Sequence, residues 1–197
     1  MTNPIKLGVS GDAGSFSEEA GLLYSKNHHI HCTLDYLIDM EGVLAAVENG
    51  TVDMGIFPVV NLRGGLVRMA YDAMGNHQFK VIDELWLTVH QCLLVKSGVA
   101  INQIDRVVSH SQAIAQCKKY IQNNLAAAEL IEWQDTAKAA KELSQGKLSP
   151  TSAVIAPERA AHIYGLDVIA KNIQDDNPNL TAFIIVKSHS EVNHVNH

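Results

Sequence analysis

The stretch of residues 153–183 constrains the fold of this chain more than any other segment. It predicts a buried strand, then a short helix that ends at Gly165, then a polar loop and a last apolar strand. This order places the polar residues of the loop next to the ends of strands. Loops in that position are good sites for small ligands, because the sheet holds them in place.

The rest of the chain also alternates between strands and helices. Strands are predicted at residues 6–10, 53–57, 85–95 and 106–109, and helices from residue 18 onward and at residues 43–47, 70–74, 112–125 and 136–143. Pro58 is expected to break the second strand, and residues 61–65 are expected to form a flexible loop. This alternation indicates an α/β fold with largely parallel sheets.

A chain of 197 residues can form one domain of ordinary size or two compact lobes. We expect a hinge near residues 76–81. The first lobe then comprises about residues 1–77 together with the last strand, and the second lobe comprises about residues 78–175. The domain is expected to end near residue 187, and residues 188–197 are predicted to be an untethered polar tail.

Composition and charge exclude several classes of function. The formal net charge is −6 and no cluster of lysine and arginine offsets it, which argues against nucleic-acid binding. No apolar run is long enough to cross a bilayer, and the first residues lack the apolar core of a secretory signal. We therefore expect a cytoplasmic protein that does not bind membranes. The widely spaced Cys32, Cys92 and Cys117 are expected to be reduced thiols.

The sequence has no pattern typical of a metal or nucleotide site. Its 10 histidines lack the spacing of a zinc enzyme, in which two histidines and an acid share a helix. Gly8, Gly11 and Gly14 do not have the spacing of a dinucleotide-binding loop. We therefore expect neither a metal nor a cofactor.

Polar residues stand at the predicted start of the first helix. Ser15 and Glu18 have the spacing of a capping box, which would satisfy free backbone amides there. The same amides and hydroxyls can hold a carboxylate. Ser15 can therefore be a helix cap, a ligand contact or both.

The closing segment contains Asn172-Ile173-Gln174-Asp175 and Thr181-Ala182-Phe183, and it resembles the end of prephenate dehydratases, where the last triplet is Thr-Arg-Phe. Further segments resemble the family in the same order along the chain. They are residues 11–17, Ser109-His110-Ser111-Gln112-Ala113 with Gln116-Cys117, and Asp135-Thr136-Ala137. The resemblance therefore covers nearly the whole chain, up to about Val186.

Residues 58–65 resemble the family segment Pro-Ile-Glu-Asn-Ser-x-x-Gly, but with changes. Pro58, Asn61 and Gly65 match it. Val60 replaces the acidic residue and Leu62 replaces the serine. Together with Ala182 in place of arginine, these departures are expected to alter the family's usual substrate contacts.

The resemblance implies a fold of two α/β lobes, like a type II periplasmic binding protein, with a ligand cleft between the lobes. It also implies a lyase that converts prephenate to phenylpyruvate with loss of carbon dioxide and water. The leaving hydroxyl needs a proton donor, and a hydroxyl group can suffice because aromatisation drives the reaction. The resemblance assigns this role to Thr181.

The resemblance further implies a set of residues around the substrate. Hydroxyls and amides at helix starts are expected to bind its carboxylates. The set is Ser15, Phe16, Ser17, Asn61, Arg63, His110, Gln112, Thr136 and Phe183. Because alanine cannot replace a charged contact at position 182, Arg63 is our hypothesis for the missing cation. Structural roles stay open, since Asn61 can serve as a turn residue and His110 as a helix cap.

Other interpretations of the function stay open. A non-aromatising prephenate decarboxylase of secondary metabolism would also depart from these motifs, whereas the retained Thr181 favours dehydration. A catalytically silent protein that binds a small carboxylate is the third interpretation. From the resemblance we also expect a homodimer, arogenate as an alternative substrate, and no regulatory phenylalanine-binding module.

Overall fold

The computed structural model describes residues 3–189. In chain order, its elements are β1 (Ile5–Ser10), α1 (Phe16–Asn27), β2 (Cys32–Leu37), α2 (Met40–Glu48), β3 (Met54–Asn61), β4 (Gly65–Leu66), α3 (Arg68–Asn76), β5 (Phe79–Thr88), β6 (Cys92–Val95), β7 (Arg106–Ser109), α4 (Ser111–Gln116), α5 (Lys118–Asn124), β8 (Glu129–Glu132), α6 (Thr136–Ser144), β9 (Ser152–Ala156), α7 (Glu158–Tyr164), β10 (Asp167–Ala170) and β11 (Leu180–Ser188).

The chain forms two compact units, each built on its own sheet. The first unit comprises the chain up to Gly11, then Ser17–Leu87, and then the chain from Leu180. The second unit comprises Asp12–Phe16 and Thr88–Asn179. The expected boundary near residue 77 therefore moves to between Leu87 and Thr88, because β5 belongs to the first sheet.

The first sheet has the strand order β2-β1-β3-β11-β5, with β4 paired to β3. Strand β1 runs parallel to both β2 and β3, and β11 runs antiparallel to β3. Helices α2 and α3 close one apolar cluster on this sheet. A Cβ atom at Gly55 would lie 2.6 Å from Val43 Cγ1, so the glycine lets α2 pack directly on β3.

The second sheet has the strand order β10-β6-β9-β7-β8. Strands β7, β8 and β9 are parallel, whereas β6 is antiparallel to its neighbours β9 and β10. All five residues of β9 are buried. Val154 packs in a cluster with α6 and α7, and its neighbour Ile155 packs in a second cluster with α4 and α5. The alternation of side chains along β9 thus supplies two apolar layers.

The structure confirms several predicted elements and corrects others. The strand at residues 106–109 and the helix that ends at Gly165 are confirmed, and Gly165 is left-handed with φ 65°. The sheets are mixed and not largely parallel. Residues 61–65 do not form an open loop, because Asn61 pairs with Gly65 in a hairpin between β3 and β4. Strand β3 also continues through Pro58 to Asn61.

The register explains why Pro58 is tolerated within β3. Ala182 lies opposite Val60, but the next residue, Phe183, lies opposite Pro58, so Val59 is an extra residue in a β-bulge. Bulges are among the few places in a sheet where proline fits, since it has no N–H to donate. The proline therefore marks an irregularity of the strand and not its end.

Two predicted elements are each divided in the structure. The strand expected at residues 85–95 is β5 and β6, because the chain leaves the first sheet after Thr88 and enters the second sheet at Cys92. The helix expected at residues 112–125 is α4 and α5, which meet at Cys117. Cys117 is completely buried in the second unit's core, and its thiol is free. Burial raises the pKa of this thiol to about 12.

The predicted polar tail lies outside the described residues, apart from Ser188 and His189. Within residues 3–189, the helices are all too short or too polar to cross a membrane.

Candidate active site

Thr181 and Asn61 form a buried hydrogen-bonded pair in the first unit. They lie opposite each other across β11 and β3, and Asn61 Nδ2 donates to Thr181 Oγ1 over 2.8 Å. Asn61 is 3% exposed and Thr181 is 7% exposed. The same amide also donates to the carbonyl of Leu180 over 3.2 Å. Both residues were predicted to belong to the site, and the structure brings them together across 120 positions of the chain.

The hairpin after Asn61 fixes the orientation of its side-chain amide. Asn61 Oδ1 accepts hydrogen bonds from the backbone N–H groups of Arg63 at 2.9 Å and Gly64 at 2.7 Å. Because backbone N–H groups can only donate, the atom that faces them must be the oxygen. The nitrogen therefore faces Thr181, whose hydroxyl oxygen accepts. The hydroxyl hydrogen of Thr181 is then directed away from Asn61 and can be donated to another group.

The other predicted residues of β11 and the hairpin have different environments. Phe183 is 1% exposed, so a substrate reaches its ring only if neighbouring side chains move. Arg63 has an exposed side chain, while its backbone N–H is used by Asn61. Ala182 is 5% exposed and belongs to the apolar cluster under α2 and α3, and Val60 lies opposite it and packs against the same cluster.

The start of α1 contributes buried hydroxyl groups. The oxygens of Ser17 and Ser10, both in the first unit, lie 2.9 Å apart in a buried hydrogen bond. Ser15 is 6% exposed, and its backbone N–H donates to Asp12 over 3.2 Å. Phe16, the first residue of α1, is half-buried. Ser17 is therefore engaged inside its own unit, at the end of β1.

A glycine shapes the segment before α1. Gly14 has φ +86°, and a Cβ atom there would lie 2.9 Å from Ala160 Cα. Tyr164, on the same helix as Ala160, donates its hydroxyl to the carbonyl of Ala13 over 2.7 Å. Only glycine combines this backbone conformation with so close an approach to α7. The motif of residues 11–17 thus has a structural reason independent of any ligand.

The helix starts of the second unit are capped by their own residues. His110 is the N-cap of α4, and its Nδ1 accepts from the backbone N–H of Gln112 over 3.3 Å. Asp135 caps α6 by accepting from the backbone N–H groups of Ala137 and Lys138. Burial raises the pKa of this carboxyl group, and the two amides oppose that effect. A substrate carboxylate would therefore have to compete with Asp135 for these backbone amides. The hydroxyl of Thr136 is the remaining predicted contact at this helix start.

The second unit also contains a network of buried and half-buried amides that was not predicted from the sequence. Gln116 Oε1 accepts from Gln91 Nε2 over 3.3 Å and from Asn179 Nδ2 over 2.9 Å. Gln174 Oε1 accepts from the backbone of Gln91 over 3.0 Å. Gln91 is 3% exposed, and its Oε1 has no hydrogen-bond partner. Gln91 stands directly before the apolar run of β6, and an amide in that position is the sequence signal that points to it.

The network lies next to two of the four places where the chain passes from one unit to the other. Val89, close to the passage between Leu87 and Thr88, donates its N–H to the carbonyl of Asn179 over 2.7 Å. Asn179 lies two residues before Thr181 in the chain. The motif residues Gln116 and Gln174 therefore hold the segment that leads into the strand of Thr181.

The comparisons identify the family of this chain. A family model described as prephenate dehydratase matches residues 7–191. The chain belongs to the prephenate dehydratase family, which confirms the resemblance inferred from its motifs.

Relatives and solved structures agree with this assignment. The chain is 35% identical over 182 residues to arogenate dehydratase/prephenate dehydratase 2, chloroplastic, of Arabidopsis thaliana, covering 92% of this chain and 46% of that protein. A prephenate dehydratase of Arthrobacter aurescens, solved in complex with L-Phe, matches with a TM-score of 0.82 and 26% identity over 93% of this chain and 60% of that chain. This chain spans about half the length of the curated relatives it matches.

The fold class is also confirmed. A periplasmic substrate-binding protein of an ABC transporter from Coxiella burnetii matches with a TM-score of 0.53 and 15% identity, over 96% of this chain and 87% of that chain. This likeness concerns the fold alone. The chain therefore has the α/β fold that prephenate dehydratases share with type II periplasmic binding proteins.

Proposed function

We propose that this chain is a lyase that converts prephenate to phenylpyruvate with loss of carbon dioxide and water. The observation that carries the proposal is the hydrogen bond from Asn61 Nδ2 to Thr181 Oγ1. It leaves the Thr181 hydroxyl hydrogen for donation to the leaving hydroxyl of the substrate. Membership of the prephenate dehydratase family supports the choice of reaction.

The reaction balances without a cofactor. The bond between the ring carbon and its carboxylate breaks and releases carbon dioxide. The electron pair from that bond makes the ring aromatic, the bond to the ring hydroxyl breaks, and the hydroxyl leaves as water after it gains a proton. Aromatisation supplies the driving force, so a neutral hydroxyl donor suffices and a strong acid is not needed. Thr181 is the proposed donor and regains its proton from solvent water after each turnover, and Asn61 is the residue that positions it.

The substrate is a dianion, and we propose that Arg63 supplies one cation for it. Arg63 lies in the hairpin that Asn61 holds, and its side chain is exposed. The test compares Arg63→Ala with Arg68→Ala, which removes an exposed arginine from α3 of the same unit. We expect KM to rise for Arg63→Ala alone. An unchanged KM for Arg63→Ala would exclude this role.

Arogenate is an alternative substrate, because it differs from prephenate only where an amino group replaces the side-chain keto group. The relative from Arabidopsis thaliana carries both activities in its name. For this chain we propose the ring chemistry, which the two substrates share. Separate incubations with prephenate and with arogenate give phenylpyruvate or phenylalanine, so they decide which substrate is used.

A non-aromatising decarboxylase is the second candidate. Leu62 favours it, because this residue stands where the family motif has serine, next to Asn61, and is 57% exposed. The retained pair of Asn61 and Thr181 favours dehydration. A decarboxylase would release carbon dioxide and keep the ring hydroxyl, so the mass of the product separates the two candidates.

The test is mass spectrometry of the products after purified chain is incubated with prephenate. Thr181→Ala removes the donor, Thr181→Ser keeps it, and a control without protein corrects for spontaneous aromatisation. We expect loss of both carbon dioxide and water, retained by Thr181→Ser and lost by Thr181→Ala. Loss of carbon dioxide alone would support the decarboxylase, and binding without turnover would support a silent binding protein.

We also propose that the chain works as a homodimer in the cytoplasm. The dimer is proposed from the family resemblance. The location stays a prediction, and fractionation of cells that produce the protein would test it.

A further inference from the structure

Strand β5 is a long edge strand of the first sheet. It has 10 residues, and its neighbour in the sheet is β11. Among residues 3–189, no strand pairs with the other edge of β5. The backbone N–H and C=O groups along such an edge are a template for another strand, and proteins usually protect edges of this length.

The side chains of β5 make this edge more exposed than is usual. One face carries Lys80, Ile82, Glu84 and Trp86, and all four are exposed. Ile82 is 39% exposed and Trp86 is 46% exposed, and Val81 on the other face is 49% exposed. Exposed apolar residues on a long open edge indicate a surface that another strand covers.

The charges on β5 are complementary to a second copy of the same strand. If two copies pair antiparallel about Ile82, that residue faces its own copy, and Lys80 of each strand faces Glu84 of the other. Each of these two pairs then joins a lysine to a glutamate, and opposite charges at directly opposed positions stabilise a strand pair. On the other face, Val81 lies opposite Asp83, whose carboxylate is already 3.4 Å from His28 Nε2 of its own chain.

Neighbouring registers are less favourable. Pairing about Asp83 or about Glu84 places a carboxylate opposite its own copy. Like charges in direct opposition destabilise a strand pair. The order of charges along β5 therefore favours the two-fold register about Ile82 over these two registers.

We propose that β5 pairs antiparallel with β5 of a second copy of this chain and joins the two first sheets into one continuous sheet. This inference rests on the homodimer proposed above and gives it an interface. Its test measures mass and not turnover, so its outcome is independent of whether the chain dehydrates prephenate.

The experiment measures the mass and the dimer dissociation constant of the full chain by sedimentation. Lys80→Glu and Glu84→Lys each create two like-charge pairs in the proposed register. Each is expected to weaken the dimer by about tenfold or more. An equal mixture of the two variants restores opposite charges at both pairs, so a mixed dimer is expected to form. Lys119→Glu makes the same charge change at an exposed lysine of α5 and is expected to leave the dimer unchanged.

Circular dichroism confirms that each variant is folded. A wild-type chain that stays monomeric overturns the proposal. A dimer that neither single variant weakens also overturns it, because the interface then lies elsewhere. If deleting residues 190–197 abolishes the dimer while both charge variants remain dimeric, that segment forms the interface and β5 does not.

Discussion

Val60 lies directly opposite Ala182 across the antiparallel pair of β3 and β11. Both residues contact the apolar cluster closed by α2 and α3. The acidic and the basic residue of the family motifs therefore correspond to one cross-strand pair in this chain. Their joint replacement by valine and alanine leaves no single charge unpaired in the core. The two departures from the family motifs therefore amount to a single change in the packing of the core. The neighbouring pair of Asn61 and Thr181 is retained.

A double-mutant cycle at this pair tests the coupling. Ala182→Arg alone places an unpaired charge in an apolar cluster and is expected to cost about 3 kcal/mol of the free energy of unfolding. Val60→Glu alone is expected to cost about 1–2 kcal/mol, since Val60 is only partly buried. The double variant is expected to recover about 1–3 kcal/mol relative to the sum. Urea unfolding of the four proteins gives these values.

The control for this cycle combines Ala182→Arg with Ile38→Glu, since Ile38 is 80% exposed and is not a cross-strand partner of Ala182. The net charge is the same as in the Val60→Glu double variant. We expect the two control changes to add. Equal coupling in both cycles would mean that the effect comes from net charge and not from the pair.

The amide network gives a prediction on stability in the second unit. Gln116→Met removes the oxygen that accepts from Gln91 and Asn179, and both donors are buried, so the expected cost is about 2–3 kcal/mol. Gln91→Met removes one long hydrogen bond, but it also removes a buried oxygen that has no partner. It is therefore expected to lower the free energy of unfolding by less than about 1 kcal/mol. Equal costs for the two variants, measured by urea unfolding, would contradict this account of the network.

His77 gives a prediction on pH. Its Nδ1 lies 2.7 Å from Glu48 Oε2 and its Nε2 lies 2.8 Å from Glu41 Oε1. The hydrogen bond to Glu48 raises the pKa of His77, and the same bond lowers the pKa of Glu48. The stability from His77 is full below the ordinary histidine pKa of about 6.5 and is lost as pH rises through the raised pKa. The stability from Glu48 is present above its ordinary pKa and is lost as pH falls through the lowered value.

His77→Gln is therefore expected to destabilise the protein most at mildly acidic pH and progressively less as pH rises from about 6.5 through the raised pKa of His77. The free energy of unfolding in urea, measured across this range, gives the difference between wild type and variant. His90→Gln replaces an exposed histidine and serves as the control. A difference for His77→Gln that stays constant with pH would rule out the charged pair as its source.

Elements with strong local signals could be predicted from the sequence. Gly165 ends α7 because a left-handed residue is needed there, and β9 is recognisable because all five of its residues are buried. Strands β2, β8 and β10 were missed. Their residues are exposed or half-buried, and none of the three strands has more than three consecutive apolar residues, fewer than the run that marks a buried strand.

The candidate site could be predicted only in part. Thr181 and Asn61 were identified by their motifs, but the hydrogen bond between them depends on the register of strands 120 residues apart in the chain. The same register places Val60 opposite Ala182. In the sequence, these two positions are separate replacements of charged family residues. Thr136 was expected to contact the substrate at the start of α6, whereas the backbone amides at this helix start donate to Asp135. Long-range pairing and the choice between neighbouring polar groups are set by tertiary structure.

The most direct test of whether Asn61 orients the hydroxyl of Thr181 for proton donation is the kcat of prephenate dehydration, measured in a double-mutant cycle of Asn61→Ala and Thr181→Ala. Thr181→Ala is expected to lower kcat by about 10²–10⁴-fold. If Asn61 acts through Thr181, adding Asn61→Ala to Thr181→Ala will lower kcat little further, although Asn61→Ala alone lowers it strongly. Fully multiplicative losses, or a Thr181→Ala variant with the kcat of the wild type, would contradict the account.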